Sequence, residues 1–379
     1  MTTAGILKEP SHDRRISIIP ESVAALIKMN ISVVVEQTAG AGAFFSDEDY
    51  TKNGAQIVSR TDALKADIIF SINPPEIDDL SKMKAGTLLV SVINPLVNTS
   101  YVEELLSRKI NCMSLESVPR TTRAQSMDIL SSMATVTGYK AVLLAASKLP
   151  KFFPLLMTAA GSIPPAKVLI LGAGVAGLQA IATCRKLGGV VEVFDVRSAV
   201  KEEVKSLGGT FIEVEGAAED KAAGGYAIQQ SEEFLRKQKQ LIHDHAIKAD
   251  VVICTAQIPG RKAPVLLTKE TVAAMKKGSV IIDLAASSGG NCEVTQNNES
   301  LDMNGVLVIG NSNLASEMPG DASRMFSKNI MNLMKITFTK EGAIHLTKED
   351  DILAETVITK DGEIWNSRVK ALLQPATVA

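Results

Sequence analysis

The chain has 379 residues, more than the roughly 250–300 at which a single hydrophobic core stops growing, so two domains are expected. Hydrophobic residues make up 46% and charged residues 22%, close to the averages of globular chains, which excludes extensive disorder. Forty basic against forty-two acidic side chains leave a formal charge of −2, without the positive field that non-specific nucleic-acid binding needs, so no nucleic-acid partner is expected.

In chain order, short apolar runs rich in β-branched residues at 31–35, 67–72, 87–93 and 110–115 alternate with helical patterns at 20–29 and 98–108. That alternation predicts an α/β domain with a parallel sheet. Residues 128–149 contain no proline, carry little charge and place apolar side chains on every helical face, which reads as a buried helix between domains. A second set of strands follows at 168–171, 190–194, 210–214, 251–255, 280–284 and 306–309, and six strands suit a doubly wound nucleotide fold. Residues 322–335 form a second helical connection, after which 337–360 are expected to return to the first domain. The expected architecture is two Rossmann-like, doubly wound α/β domains flanking a cleft: residues 1–127 with 330–379, and residues 128–329.

Cys112, Cys184, Cys254 and Cys292 lie far apart with no CxxC pair, the pattern of structural thiols in a reducing compartment. The N-terminus has no basic segment followed by an apolar run, so neither a signal nor a transit peptide is expected. The least polar stretch, 152–166, is short and carries Pro154, Pro164 and Pro165, and no membrane-crossing segment is expected. A long loop at 215–231 holds Gly216, Gly224, Gly225 and Tyr226; its length suits a functional lid or a solvated insertion. His243 and His245 read as lone, solvated imidazoles on different faces of a polar helix, and no metal site is expected.

The strand 168–171 runs directly into Gly172-Ala-Gly174-Val175-Ala-Gly177, and a helical pattern follows. This is GxGxxG in the strand–turn–helix setting it requires. Gly172 allows the tight turn, Gly174 lets a pyrophosphate approach the backbone, and Gly177 lets the helix pack on the strand, while the helix N-terminus favours the anion. The next strand ends at Asp195, 21 residues beyond Gly174, where such folds carry the carboxylate that binds the adenosine ribose. Asp195 predicts NAD(H) rather than NADP(H), although Arg197 keeps a 2′-phosphate from being excluded on charge alone.

The most unusual polar segment is Arg120-Thr-Thr-Arg123-Ala-Gln125-Ser126-Met127-Asp128, placed before the long apolar helix and near the expected cleft. Arg120 and Arg123 offer positive charge, Gln125 a donor and acceptor suited to a carboxamide, and Asp128 and Ser131 polar groups one turn apart. The competing reading is a helix N-terminus capped by Thr122 or Ser126.

Together with Asp195-Val196-Arg197, Ala223-Gly-Gly-Tyr226 and Asp321-Ala-Ser-Arg-Met-Phe-Ser-Lys-Asn329, these motifs resemble the NAD(H)-binding component of proton-translocating nicotinamide nucleotide transhydrogenase. The resemblance spans essentially the whole chain, including Gly289-Gly-Asn-Cys-Glu293. It implies direct hydride transfer between NAD(H) held here and NADP(H) held on a separate component, coupled to proton movement through an integral-membrane component. It further implies a homodimer, cytoplasmic and peripheral on the inner membrane through those partners. Because the chain ends at Ala379, where many relatives continue into hydrophobic helices, it resembles a separately encoded soluble subunit. By the same resemblance Gln125, Ser126, Met127 and Asp128, with Arg120 and Ser131, serve the nicotinamide side. Val175, Asp195, Val196 and Arg197 serve the adenosine side, and Gly225 and Tyr226 belong to a mobile loop. Gln257 falls at a contact position where the family more often has leucine.

Alanine dehydrogenase, a sister family, shares the two-domain plan and is the rival reading. It uses a lysine, a histidine and an aspartate at positions where Asn73, Asn94 and Ser287 stand here. Amine chemistry on a carbonyl needs proton transfer that asparagine cannot supply at neutral pH. A non-catalytic NAD-binding regulatory module would keep the glycines and Asp195 but would not need the Arg120 segment.

Overall fold

Four of the apolar runs of the sequence become strands buried on both faces. A computed structural model describes residues 2–214, 231–257, 261–339 and 341–373. Along the chain come β1 (Thr3–Ile6), β2 (Ser32–Glu36), β3 (Gln56–Val58), β4 (Ile68–Phe70), β5 (Leu88–Ser91) and β6 (Asn111–Ser114), then a hairpin of β7 (Leu156–Thr158) and β8 (Gly161–Ile163). Next are β9 (Lys167–Leu171), β10 (Val190–Phe194), β11 (Thr210–Ile212), β12 (Val251–Cys254), β13 (Val280–Asp283), β14 (Ser300–Met303) and β15 (Val306–Ile309). The chain closes with β16 (Val357–Lys360) and β17 (Glu363–Ile364). Every residue of β4, β5, β12 and β13 is buried, as parallel strands covered by helices on both sides require.

Two compact units result, one of Met1–Met133 with Ser316–Ala379 and one of Ala134–Ala315. The first holds an eight-stranded sheet in the order β17-β16-β6-β5-β4-β1-β2-β3. Its strands β1 to β6 are parallel, and β16 and β17 extend it antiparallel. The second holds a seven-stranded sheet in the order β11-β10-β9-β12-β13-β15-β14, antiparallel only at its β14 edge. Counted from β1, the first sheet contains the 3-2-1-4-5-6 order of a doubly wound fold; counted from β9, the second runs 3-2-1-4-5 before β15 and the antiparallel edge strand β14, and each therefore has a switch point beside that counted strand.

The first strand is not apparent in the sequence. β1 reads Thr-Ala-Gly-Ile, with low β propensity at two positions, yet it is an interior strand paired on both sides, with β4 and β2. An added Cβ at Gly5 would lie 2.4 Å from the carbonyl oxygen of Ala63, so the packing of the next layer demands glycine there.

Both connecting helices differ from expectation. The helix Ile129–Lys148 is only partly buried, with Leu130 41% and Tyr139 37% exposed. Its first turn places Ile129 in the first unit's core, whereas Ala141, Val142 and Ala145 belong to the second unit's core. Among the described residues it is the one helix long and apolar enough to cross a membrane by length and composition. The second connection runs Pro319–Thr337, with proline in its first turn, where a missing N–H costs no helical bond. Phe326, Ile330, Leu333 and Met334 of this helix all lie in the first unit's core, so that unit begins again at Ser316 rather than at 330.

Candidate functional site

At the switch point of the second sheet, the three glycines of the loop stand in three different settings. Gly172 has φ +105°, a conformation that side chains rarely adopt. A Cβ on Gly177 would come within 1.9 Å of Gly172 O, so only glycine lets the helix Val175–Lys186 approach the turn. A Cβ on Gly174 would meet nothing within 4 Å: this glycine faces open space at the helix N-terminus. That is the geometry a diphosphate needs, with orphan N–H groups of the first turn and the positive end of the helix dipole behind it. Val175 follows at the first helical position, 39% exposed.

Asp195 stands beside this turn at the end of β10. Its Oδ2 accepts from the Ala173 amide at 2.7 Å and from Arg197 Nη2 at 2.8 Å, and its Oδ1 accepts from Arg197 N and Nε, each at 2.9 Å. The carboxylate is thereby fixed against the glycine turn, with Arg197 folded over it. Val196, between them, packs against the core. The residues present fit a dinucleotide: the turn is open where a diphosphate must lie, and the carboxylate is bonded to that same turn.

Loops from neighbouring strands back the turn. Thr255 Oγ1 donates to Gly172 O at 2.9 Å. Gln257 is exposed, and its Nε2 donates to Leu284 O at 2.9 Å, tying the loop after β12 to the loop after β13. Gly225 and Tyr226, with the rest of 215–230, lie outside the described residues.

In the first unit, the Arg120 segment forms a six-residue 3-10 helix, Thr122–Met127. Residues three apart share a face in such a turn. Accordingly Ala124 and Met127 are buried in the core while Gln125 and Ser126 are exposed. Asn329 Nδ2 and Asn332 Nδ2 donate to Ser126 O at 2.9 and 3.0 Å, which pins the turn to the helix Pro319–Thr337. Asp128, rather than Thr122 or Ser126, caps the following helix, its Oδ1 accepting from Ser131 N at 2.9 Å and its Oδ2 from Ser131 Oγ at 2.6 Å. Arg123 is not a free charge, because Asp350 grips it with two bonds of 2.8 Å and Asp351 also pairs with it. Arg120 is exposed.

Asn73, Asn94 and Ser287 have three different local settings. Asn73 Nδ2 donates to Glu9 Oε2 and Asp13 Oδ2, each at 3.0 Å, so it bridges two carboxylates. Glu9 is buried; desolvation pushes its carboxyl up to about 7 against the pull of the Ile72 and Asn73 amides. Asn94 adopts φ +50° and its amide meets Glu116, whose carboxyl burial also raises. Ser287 lies in the short turn Ala286–Ser288. A crevice of about 350 Å³ between Lys8, Glu9, Glu36, Arg60 and Asn73 marks this sheet's own switch point, where Arg60 bridges Glu36 and Asp79 at 2.7 and 2.8 Å.

The two imidazoles are not solvated as expected. His243 Nδ1 bonds Thr271 Oγ1 at 3.0 Å and His245 Nδ1 bonds Glu192 Oε2 at 2.7 Å. Among the described residues no three metal-ligating side chains come together. All four cysteines are free and buried, and burial pushes the Cys184 thiol up to about 12.

Two family models together cover most of the chain: alanine dehydrogenase/PNT, N-terminal domain, over residues 5–137, and alanine dehydrogenase/PNT, C-terminal domain, over residues 141–367. The chain belongs to the alanine dehydrogenase/PNT family. It is 44% identical to the first portion of NAD(P) transhydrogenase subunit alpha of Rhodospirillum rubrum, over 94% of this chain and 95% of that one. A solved transhydrogenase structure from Sinorhizobium meliloti superposes with a TM-score of 0.88 at 38% identity, covering 96% of this chain and 99% of that one. The alanine dehydrogenase of Mycolicibacterium smegmatis is 26% identical over 95% of this chain and 93% of its own length. Within the family, the similarity to the transhydrogenase subunit is thus the greater.

Proposed function

We propose that this chain is the NAD(H)-binding subunit of a proton-translocating transhydrogenase. The observation that carries the reading is the Gly172–Gly177 turn bonded to Asp195, in a chain 44% identical to a transhydrogenase subunit. In the proposal, NAD(H) supplies or accepts a hydride at C4 of its nicotinamide, exchanged directly with NADP(H) on a partner subunit. The residues of this chain do the binding and orienting. Gly172, Gly174 and Gly177 receive the diphosphate, and Val175, Asp195, Val196 and Arg197 serve the adenosine side. Gln125, Ser126, Met127 and Asp128, with Arg120 and Ser131, are assigned to the nicotinamide side, and Gly225, Tyr226 and Gln257 to loops over the dinucleotide. Hydride passes without a protein acid or base, so alignment of the rings and exclusion of water supply the catalysis.

The partners in this reading are a second copy of the chain, the NADP(H)-binding component and an integral-membrane proton channel, with the chain held peripherally on the cytoplasmic face. Asn73 supports this reading over amino-acid dehydrogenation: its amide is taken up by Glu9 and Asp13, and a carboxamide does not act as a general acid near neutral pH.

The deciding experiment loads the purified chain with NADH and adds a transhydrogenase NADP(H)-binding component with an NADP⁺ analogue whose reduced form absorbs separately. Reduction of the analogue is expected, with no NADH oxidation when pyruvate and ammonium are supplied instead. Rapid oxidation by pyruvate and ammonium with the chain alone would replace the proposal with an amino-acid dehydrogenase.

A further inference from the structure

Loops leave the C-terminal ends of β9, β12 and β13 side by side, and besides Gln257 a buried side chain joins the last two. Asn291 is fully buried in the loop after β13. Its Oδ1 accepts from Ala256 N at 3.0 Å, and its Nδ2 donates to Ala256 O at 2.9 Å and to Pro264 O at 2.8 Å. The amide therefore pairs both backbone polar groups of Ala256, as an adjoining strand would, in a place where β12 has already ended.

Asn291 is itself held from below. Asp283, fully buried at the end of β13, accepts from Asn291 N at 2.8 Å, Cys292 N at 2.9 Å and Thr295 Oγ1 at 2.8 Å through Oδ2, and from Ala285 N at 3.0 Å through Oδ1. The residue that Asn291 clamps adjoins Thr255, whose hydroxyl bonds the carbonyl of Gly172. That carbonyl belongs to the peptide whose N–H side is Ala173, and Ala173 N is the group bonded to Asp195. One continuous chain of short contacts thus runs from the core of the sheet to the turn that faces the dinucleotide.

We propose that Asn291 is a positioning residue for the dinucleotide, acting through Ala256 and Thr255 to fix the Gly172 peptide and so the direction of the amides that meet the diphosphate. The inference rests on the NAD(H) reading above and names a component of the site that touches no cofactor atom. An asparagine suits the task because a single planar amide supplies one acceptor and two donors, the set that Ala256 and Pro264 require. Aspartate in its place keeps the acceptor and turns both donors into an acceptor facing two carbonyls.

The test compares Asn291→Asp, Thr255→Val and Thr255→Ser with the unaltered chain. NADH affinity is read by fluorescence, affinities for ADP and for adenosine by displacement, and folding by circular dichroism and Tm, all well below the lowest Tm. Asn291→Asp and Thr255→Val should each weaken NADH and ADP about tenfold while changing adenosine, which has no phosphate, less than about twofold; Thr255→Ser should restore binding. Unchanged NADH affinity, or equal losses for ADP and adenosine, would overturn the proposal, since a general loosening of the unit weakens both ligands. Should Asn291→Asp not fold, the Thr255 pair decides alone: a loss in valine that serine does not recover sinks the relay. An unaltered chain that binds no NADH removes the NAD(H) reading itself, whereas a binding chain with indifferent variants removes only the role of Asn291.

Discussion

Asp195 accepts the amide of Ala173 at 2.7 Å, so the carboxylate that ends β10 is bonded to the turn that ends β9. Glu36 and Lys8 stand in the same relation at the ends of β2 and β1, at 2.8 Å. An arginine closes over each carboxylate, Arg197 in the second unit and Arg60 in the first. The two sheets share a device for holding an acid at the switch point, and only the second adds glycines that open a path to the backbone.

Asp195→Asn should lower NADH affinity by at least about tenfold, because the neutral amide loses its charge-assisted bonds to Arg197 and accepts a ribose hydroxyl less strongly. The chain should still fold, since the asparagine oxygen can keep the Ala173 bond. A fluorescence titration with NADH measures the effect; an affinity equal to that of the unaltered chain would show that the carboxylate does not receive the ribose.

Gly174→Ala and Gly177→Ala should separate binding from folding. The methyl of Gly177→Ala collides with Gly172 O, 1.9 Å from its ideal position, and should destabilise the unit by about 3 kcal/mol. The methyl of Gly174→Ala enters open space where the diphosphate is proposed to lie, so Tm should hold while NADH affinity falls by about tenfold or more. Calorimetry and NADH titration on the same samples read the two effects independently.

Glu9 should give the protein a stability component that acid strengthens. Its carboxyl, with an ordinary value of 4.5, is pushed up to about 7 by burial, so between those values the folded chain binds a proton that the unfolded chain has released. The contribution is fully present below pH 4.5 and lost as pH rises through about 7, at most about 3 kcal/mol. Urea denaturation across pH 4.5–8 should show this downward slope in the unaltered chain and a flatter one in Glu9→Gln. Parallel slopes in the two proteins would contradict the assignment.

Leu155 and Met157, at the β7–β8 hairpin, are 56% and 82% exposed, and Phe152 beside them is 53% exposed. An isolated two-stranded hairpin is marginal in water, so an exposed apolar one calls for a cover. If the proposed homodimer uses this surface, Met157→Asp should yield monomers by light scattering while NADH affinity stays unchanged. A dimer that survives the substitution would place its interface elsewhere.

The dinucleotide turn is legible in the sequence because its chemistry is local: a buried strand, three glycines at fixed offsets and an acid at the end of the next strand. The strands with continuous β-branched runs are equally plain. β1 is hidden because Ala4 and Gly5 satisfy the packing of a neighbouring layer rather than the propensity of a strand. The cap of the helix Ile129–Lys148 is displaced by two residues from Ser126 to Asp128, since the preceding residues form a 3-10 helix with its own three-residue rhythm. Arg123 reads as available because its partners, Asp350 and Asp351, come from the far end of the chain.

Two α/β sheets, the glycine turn with Asp195 and the family to which these motifs point are already contained in the order of the residues, for all of them depend on periodicity and on neighbours along the chain. Folding in three dimensions is what assigns the helix Pro319–Thr337 to the first core, sets Asn73 between Glu9 and Asp13, and lets Asn291 clamp Ala256. Such pairings join residues that no local pattern relates; they exist because closing a sheet brings the ends of its strands together, and buried polar groups there must find partners in whatever loop arrives beside them.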